Sequence, residues 1–80
     1  EAARLMRSDF TGADFTAAHL EIANLNHARL TDARLVSADL QEAKLQGAQL
    51  IGTNMEGALK RCANFNDAYM KDCTGCPLDW

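Results

Sequence analysis

Cysteine and histidine are the residues of this chain whose chemistry depends most on their spacing. Cys73 and Cys76 form a C-x-x-C segment, a spacing found in redox and zinc sites. A structural zinc site takes four ligands, and Cys62 supplies only a third thiolate. Three interpretations of the segment stay open. Cys73 packs as a small apolar side chain, Cys73 and Cys76 form a local disulfide, or the pair serves metal or redox chemistry.

The two histidines do not complete a catalytic set. His19 and His27 have no hydroxyl or thiol nucleophile beside them in the sequence, and no acid–base pair can be assembled around either ring. We therefore predict no catalytic residue, no metal site and no cofactor, and we expect a protein that is not an enzyme.

The elements that must position these residues follow from a period of five. A small residue stands two positions before each large apolar residue, and we call the large residue a centre. The centres are Leu5, Phe10, Phe15, Leu20, Leu25, Leu30, Leu35, Leu40, Leu45, Leu50, Met55, Phe65 and Met70. On a helix, steps of five are offset by roughly 140°, and on a continuous strand they alternate between faces. The period therefore predicts short extended pieces that are joined by turns.

The glycines support turns between the pieces. Four of the five glycines lie two positions after a centre, in what we call the turn slot: Gly12, Gly47, Gly52 and Gly57. A type II turn needs a positive φ at its third residue, which glycine adopts at little cost. Ile22 and Glu42 occupy the same slot, and we expect a different turn at those two corners.

The units resemble a known repeat. The best matches are Ser8-Asp9-Phe10, Ala13-Asp14-Phe15, Ala23-Asn24-Leu25, Ala38-Asp39-Leu40 and Ala63-Asn64-Phe65. This pattern resembles the pentapeptide repeat family, whose consensus is a small residue, Asp or Asn, Leu or Phe, and two variable residues. The resemblance implies an all-β fold, a right-handed quadrilateral β-helix with about four coils of twenty residues. It covers essentially the whole chain, so we expect one domain over residues 1–80.

Stacking residues twenty apart sorts the outward side chains by face. The face centred on Leu20 and Leu40 gathers five acidic and two basic residues, and we call it the fourth face. Its candidate interaction residues are Glu21, Ile22, Asp39, Glu42, Leu59, Lys60 and Arg61. Because lysine falls on a centre position there, we predict a one-residue slip that turns Leu59 inward and widens the corner at residues 60–62. The same stacking predicts Asp9 under Arg29, Asp14 under Arg34, and an amide ladder of Asn26, Gln46 and Asn66.

The two ends of the coil need cover for apolar surface and open backbone edges. Residues 1–7 resemble a remnant of a helical N-terminal cap. Residues 73–80 are expected to form a closing unit, in which Leu78 and Trp80 cover the core. An end-to-end homo-oligomer is the alternative if the ends are uncovered.

Composition narrows the function. The 8 basic and 11 acidic residues are mixed along the chain, which disfavours nucleic-acid binding, and no apolar run is long enough to span a membrane. We predict a structural scaffold that binds a protein partner. Two alternatives are a DNA-mimicking binder of a type II topoisomerase such as gyrase, as some relatives are, and a domain of a larger effector or multidomain protein. An odd number of cysteines favours the cytoplasm, while relatives also occur in the periplasm and thylakoid lumen.

Overall fold

The computed structural model describes residues 4–77. Within this range, β-bridges of single residues hold successive coils together. Eleven parallel bridges are formed within this range, each joining residues twenty positions apart. The bridging residues are Arg4, Asp9, Asp14, His19, Asn24, Arg29, Arg34, Asp39, Lys44, Gln49, Asn54, Leu59, Asn64, Tyr69 and Thr74. Each one directly precedes a centre position or its equivalent. The described residues contain no helix and no longer strand, and accordingly no helix that could cross a membrane.

The core is the stack of centres and small residues predicted from the period of five. Its large side chains lie in columns, and those with no more than 1% exposure are Leu25, Leu30, Leu35, Leu40, Leu45, Leu50, Met55 and Phe65. Burying one leucine side chain stabilises a fold by about 1.5–3 kcal/mol, so this stack supplies most of the driving force. Thr53 is the one buried polar residue of the described chain, and its hydroxyl donates to the Leu30 carbonyl at 2.6 Å.

Every described corner uses the same turn. All fourteen turn slots from position 7 to position 72 have a positive φ, and at each corner the next small residue donates its amide to the carbonyl at the centre position. Ile22 has φ 64° and Glu42 has φ 61°, so the different turn expected at these corners is wrong. The amides of Ile22 and Glu42 bond to the next coil at 3.0 and 2.8 Å, and this backbone ladder sets the corner whatever side chain stands there.

Aspartate or asparagine before a centre has a local role. The side-chain oxygen of this residue accepts the backbone amide two positions on, which closes an Asx turn. The six residues that do so are Asp9, Asp14, Asn24, Asp39, Asn54 and Asn64. The short polar side chain therefore braces the corner that follows it.

Contacts between coils confirm the predicted stacking. Arg34 Nε lies 4.0 Å from Asp14 Oδ1. Asp9 and Arg29 form a parallel β-bridge through their backbones. In the amide ladder, Asn26 Oδ1 accepts the Gln46 backbone amide at 2.9 Å. These exposed contacts support the register more than they stabilise the fold.

The chain leaves the repeat near its C-terminal end. Gly75 stands at a centre position with φ 78°, and a Cβ there would lie 2.8 Å from the Met55 carbonyl oxygen. Cys76 is instead buried, with its Sγ 3.6 Å from Met55 Sδ. Leu78 and Trp80, proposed to cover the core, lie outside the described residues. At the other end Arg4 already pairs with Asn24, so the helical interpretation of residues 1–7 does not hold for their described part.

Candidate functional site

The described part of the fourth face consists of residues 18–22, 38–42 and 58–62, which stack as successive rows, while Glu1 and Asp79 lie outside the described residues. Its outward columns are His19, Asp39 and Leu59, then Glu21, Gln41 and Arg61, then Ile22, Glu42 and Cys62. All seven residues predicted for the interaction face therefore belong to one side of the β-helix. The backbone beneath them is continuous, because Leu20 N donates to Asp39 O at 2.9 Å and Leu40 N donates to Leu59 O at 2.8 Å.

Lys60 occupies a centre position without any slip of the chain. Leu59 pairs with Asp39, and the Ala63 amide reaches the Lys60 carbonyl at 3.0 Å, as at every other corner. The predicted slip, with Leu59 turned inward and a widened corner at residues 60–62, is wrong. The backbone hydrogen bonds to Leu59 and Arg61, on either side of Lys60, outweigh the cost of one misplaced side chain. The half-buried lysine also limits that cost, because its ammonium donates a hydrogen bond to the Ala58 carbonyl at 3.3 Å.

Two large apolar side chains of the fourth face are exposed. Ile22 is 54% exposed in the first row and Leu59 is 53% exposed in the third row. Leu59 points outward because it is a bridging residue, and side chains of bridging residues alternate with the inward ones. Ile22 and Leu59 stand in different columns, two rows apart, and charged residues of the face lie between them.

The charges of the described face are graded along the axis. Its three acidic residues, Glu21, Asp39 and Glu42, stand in the first two rows, and its two basic residues, Lys60 and Arg61, stand in the third. A partner that binds this face would therefore contact negative charge at one end of the face and positive charge at the other.

One cluster of side chains on this face was not predicted from the sequence. His19 Nδ1 lies 3.6 Å from Glu21 Oε2, and ligand atoms of His19, Glu21 and Asp39 all lie within 4.8 Å of one another. Asp39 is held by Gln41, whose backbone amide donates to Oδ1 at 3.1 Å. The signal that could have found the cluster is the spacing of twenty between His19 and Asp39.

The cysteines stand apart from this cluster. Cys62 is an exposed free thiol in the last row of the fourth face. Cys73 and Cys76 are joined by a disulfide, with their Cα atoms 5.7 Å apart. Within residues 4–77 no cavity opens beside any of them.

Comparisons with known proteins agree with this architecture. A family model described as pentapeptide repeats (8 copies) matches residues 18–57 and 38–74. A comparison with curated protein sequences gave no match.

The solved structures that resemble the chain include those of three pentapeptide repeat proteins. A pentapeptide repeat protein from the thylakoid lumen of Arabidopsis thaliana is 22% identical with a TM-score of 0.71, over 95% of this chain and 68% of its own. The protein Rfr23 of the cyanobacterium Cyanothece is 28% identical with a TM-score of 0.67, over 90% of this chain and 56% of its own. A pentapeptide repeat protein from Nostoc is 31% identical with a TM-score of 0.64, over 96% of this chain and 71% of its own. The five-residue period, the bridges between residues twenty apart and these matches agree, and the chain belongs to the pentapeptide repeat family.

Proposed function

We propose that this chain is a non-enzymatic interaction module whose fourth face binds a protein partner. The main support for the proposal is that Ile22 and Leu59 are exposed on a face whose charge changes from acidic to basic along the axis. A partner that covers these two side chains removes their apolar surface from water, which favours association. Members of the family are generally non-enzymatic repeat proteins.

A stiff support favours such a role. Sixteen units of five residues correspond to about four coils, and each corner of the described part carries the same turn. Side chains on such a face lose little backbone freedom on binding, which lowers the entropic cost of association. The proposal therefore assigns recognition to the outward side chains and rigidity to the repeat.

The charge pattern favours a protein partner over the DNA-mimic role. A surface that imitates duplex DNA needs dense negative charge, whereas Lys60 and Arg61 share the fourth face with its acids. The face centred on Leu25 and Leu45 also carries the exposed Lys44. A gyrase supercoiling assay is expected to show no inhibition at micromolar protein, and inhibition there would favour the alternative.

Site-specific photocrosslinking tests the proposal. A photoreactive amino acid at Leu59 should give a discrete adduct in the source cells, which mass spectrometry identifies. The matched control places the same amino acid at Tyr69, which is 61% exposed on another face. With the purified partner, Leu59→Ser and Arg61→Glu should weaken binding by roughly tenfold or more, while Tyr69→Ser should not. Equal adducts at both positions, or binding that ignores both fourth-face substitutions, would reject the proposal.

A further inference from the structure

We propose that His19, Glu21 and Asp39 form a binding site for a divalent transition-metal ion such as Zn²⁺. One imidazole nitrogen and two carboxylate oxygens lie within 4.8 Å of one another on the fourth face. The proposal departs from the prediction of no metal site that was made from the sequence. It goes beyond the interaction role, because the chain alone supplies three protein ligands, and water completes the tetrahedral set as it does in open zinc sites.

The spacing of the ligand atoms suits one shared ion. Ligands at about 2.1 Å from a tetrahedral metal are about 3.4 Å apart, and His19 Nδ1 and Glu21 Oε2 are already 3.6 Å apart. The ligand atoms of the whole set lie within 4.8 Å of one another, so binding of one ion requires side-chain rotations. Those rotations are open to the side chains of His19 and Glu21, which are 84% and 41% exposed.

The backbone fixes where the ligands start. His19 and Asp39 are bridge partners, so their Cα atoms are held on neighbouring coils by the ladder. The ladder bonds on the two sides of this pair, Leu20 N to Asp39 O and Asp39 N to Ala18 O, are both 2.9 Å long. Metal binding therefore orders only side chains, which keeps its entropic cost small.

The two carboxylates give the site a negative charge, which favours a bound cation. In the part of the chain described by the structure, no lysine or arginine nitrogen lies within 4.0 Å of a carboxylate oxygen of Glu21 or Asp39. Two carboxylates that share a site repel each other, and a bound divalent cation removes this repulsion. The imidazole nitrogen selects among cations, since Mg²⁺ and Ca²⁺ prefer oxygen ligands while Zn²⁺ accepts nitrogen.

Calorimetric titration of the purified chain with Zn²⁺ near neutral pH tests the site without any protein partner. We expect saturable binding of one ion per chain. His19→Ala, Glu21→Gln and Asp39→Asn should each weaken binding by roughly tenfold or more. His27→Ala, which removes the other histidine, and Cys62→Ser, which removes the free thiol of this face, should leave the affinity unchanged.

Circular dichroism of each variant separates loss of the site from loss of the fold. Asp39→Asn keeps the oxygen that accepts the Gln41 amide, so the corner should persist. Absence of saturable binding, equal affinity of His19→Ala and the unsubstituted chain, or loss of binding in Cys62→Ser would overturn the proposal. Because the readout needs no partner, its failure leaves the interaction role standing, and failure of the crosslinking test leaves the metal site standing.

Discussion

Single residues in this protein either suit their position in the repeat or are tolerated there. Asp9 and Asp14 fit, because each accepts the hydroxyl and the amide of the threonine two positions on. Lys60 is tolerated, because it stands where the two preceding coils have Leu20 and Leu40 and still leaves the ladder intact. A residue can therefore be poorly suited to its position without changing the backbone.

Replacing Lys60 with leucine should stabilise the protein. Lys60→Leu extends the column of Leu20 and Leu40 and removes the charge of a half-buried lysine, so we expect the free energy of unfolding to rise by about 1 kcal/mol. Urea unfolding followed by circular dichroism measures the change. The control is Lys71→Leu at an exposed position, where we expect a change within about 0.5 kcal/mol. An unchanged or lower stability of Lys60→Leu would mean that the centre column is not a continuous core.

Two aspartates should make stability depend on pH at the acidic end. The Thr11 hydroxyl, then the Thr11 amide, and to a smaller extent Arg29 hold the pKa of Asp9 below its ordinary value, and Thr16 and Arg34 lower the pKa of Asp14 in the same way. A lowered folded-state pKa contributes stability that is present in full above the unfolded-state pKa. It is lost as the pH falls through the folded-state pKa.

Urea unfolding across this acidic range tests the effect. The double variant Asp9→Asn with Asp14→Asn keeps both acceptor oxygens but does not titrate. We expect the unsubstituted chain to be the more stable at neutral pH, and the difference to close as the pH falls below the ordinary aspartate range. A difference that stays constant with pH would show that these carboxylates contribute nothing through their charge.

The element that builds this molecule is a turn, repeated with one backbone geometry. Its positive φ costs an L-amino acid with a side chain about 1–2 kcal/mol, yet ten non-glycine residues adopt it among the described turn slots. Each turn amide is anchored to the next coil wherever that coil continues in register, as for Ile22 and Gln41. The ladder therefore imposes strain that local sequence preference would avoid.

Substitutions at two corners should reveal this strain. Ile22→Gly should raise the free energy of unfolding by about 0.5–1 kcal/mol, because glycine reaches φ 64° without the penalty of a β-branched side chain. Gly12→Ala is the reverse test, since nothing lies within 4 Å of the added Cβ and only φ 75° opposes it. We expect it to lower stability by about 1 kcal/mol. Thermal or urea unfolding measures both, and stabilisation by Gly12→Ala would contradict the account.

At the scale of the molecule, the sequence predicts the fold better than the site. The period of five and the small residues before each centre predict the core and which residues share a face, because both depend only on spacing. The corner at Ile22 and the register at Lys60 were mispredicted, because there the bonds between coils outweigh the preference of one residue. The cluster of His19, Glu21 and Asp39 depends on side-chain directions, which spacing alone does not provide.

The register of twenty residues between successive coils brings the residues of the fourth face together. Crosslinking of paired cysteines measures it directly, in a Cys62→Ser background without reductant and with a thiol reagent that spans about 5 Å, the distance between adjacent strands. Asp39→Cys with Leu59→Cys, a bridging pair, should crosslink within the monomer. Asp39→Cys with Asn64→Cys, which lies one side further along the chain, should not. Equal crosslinking of the two pairs, or preference for the second, would contradict the β-helix and the face built on it.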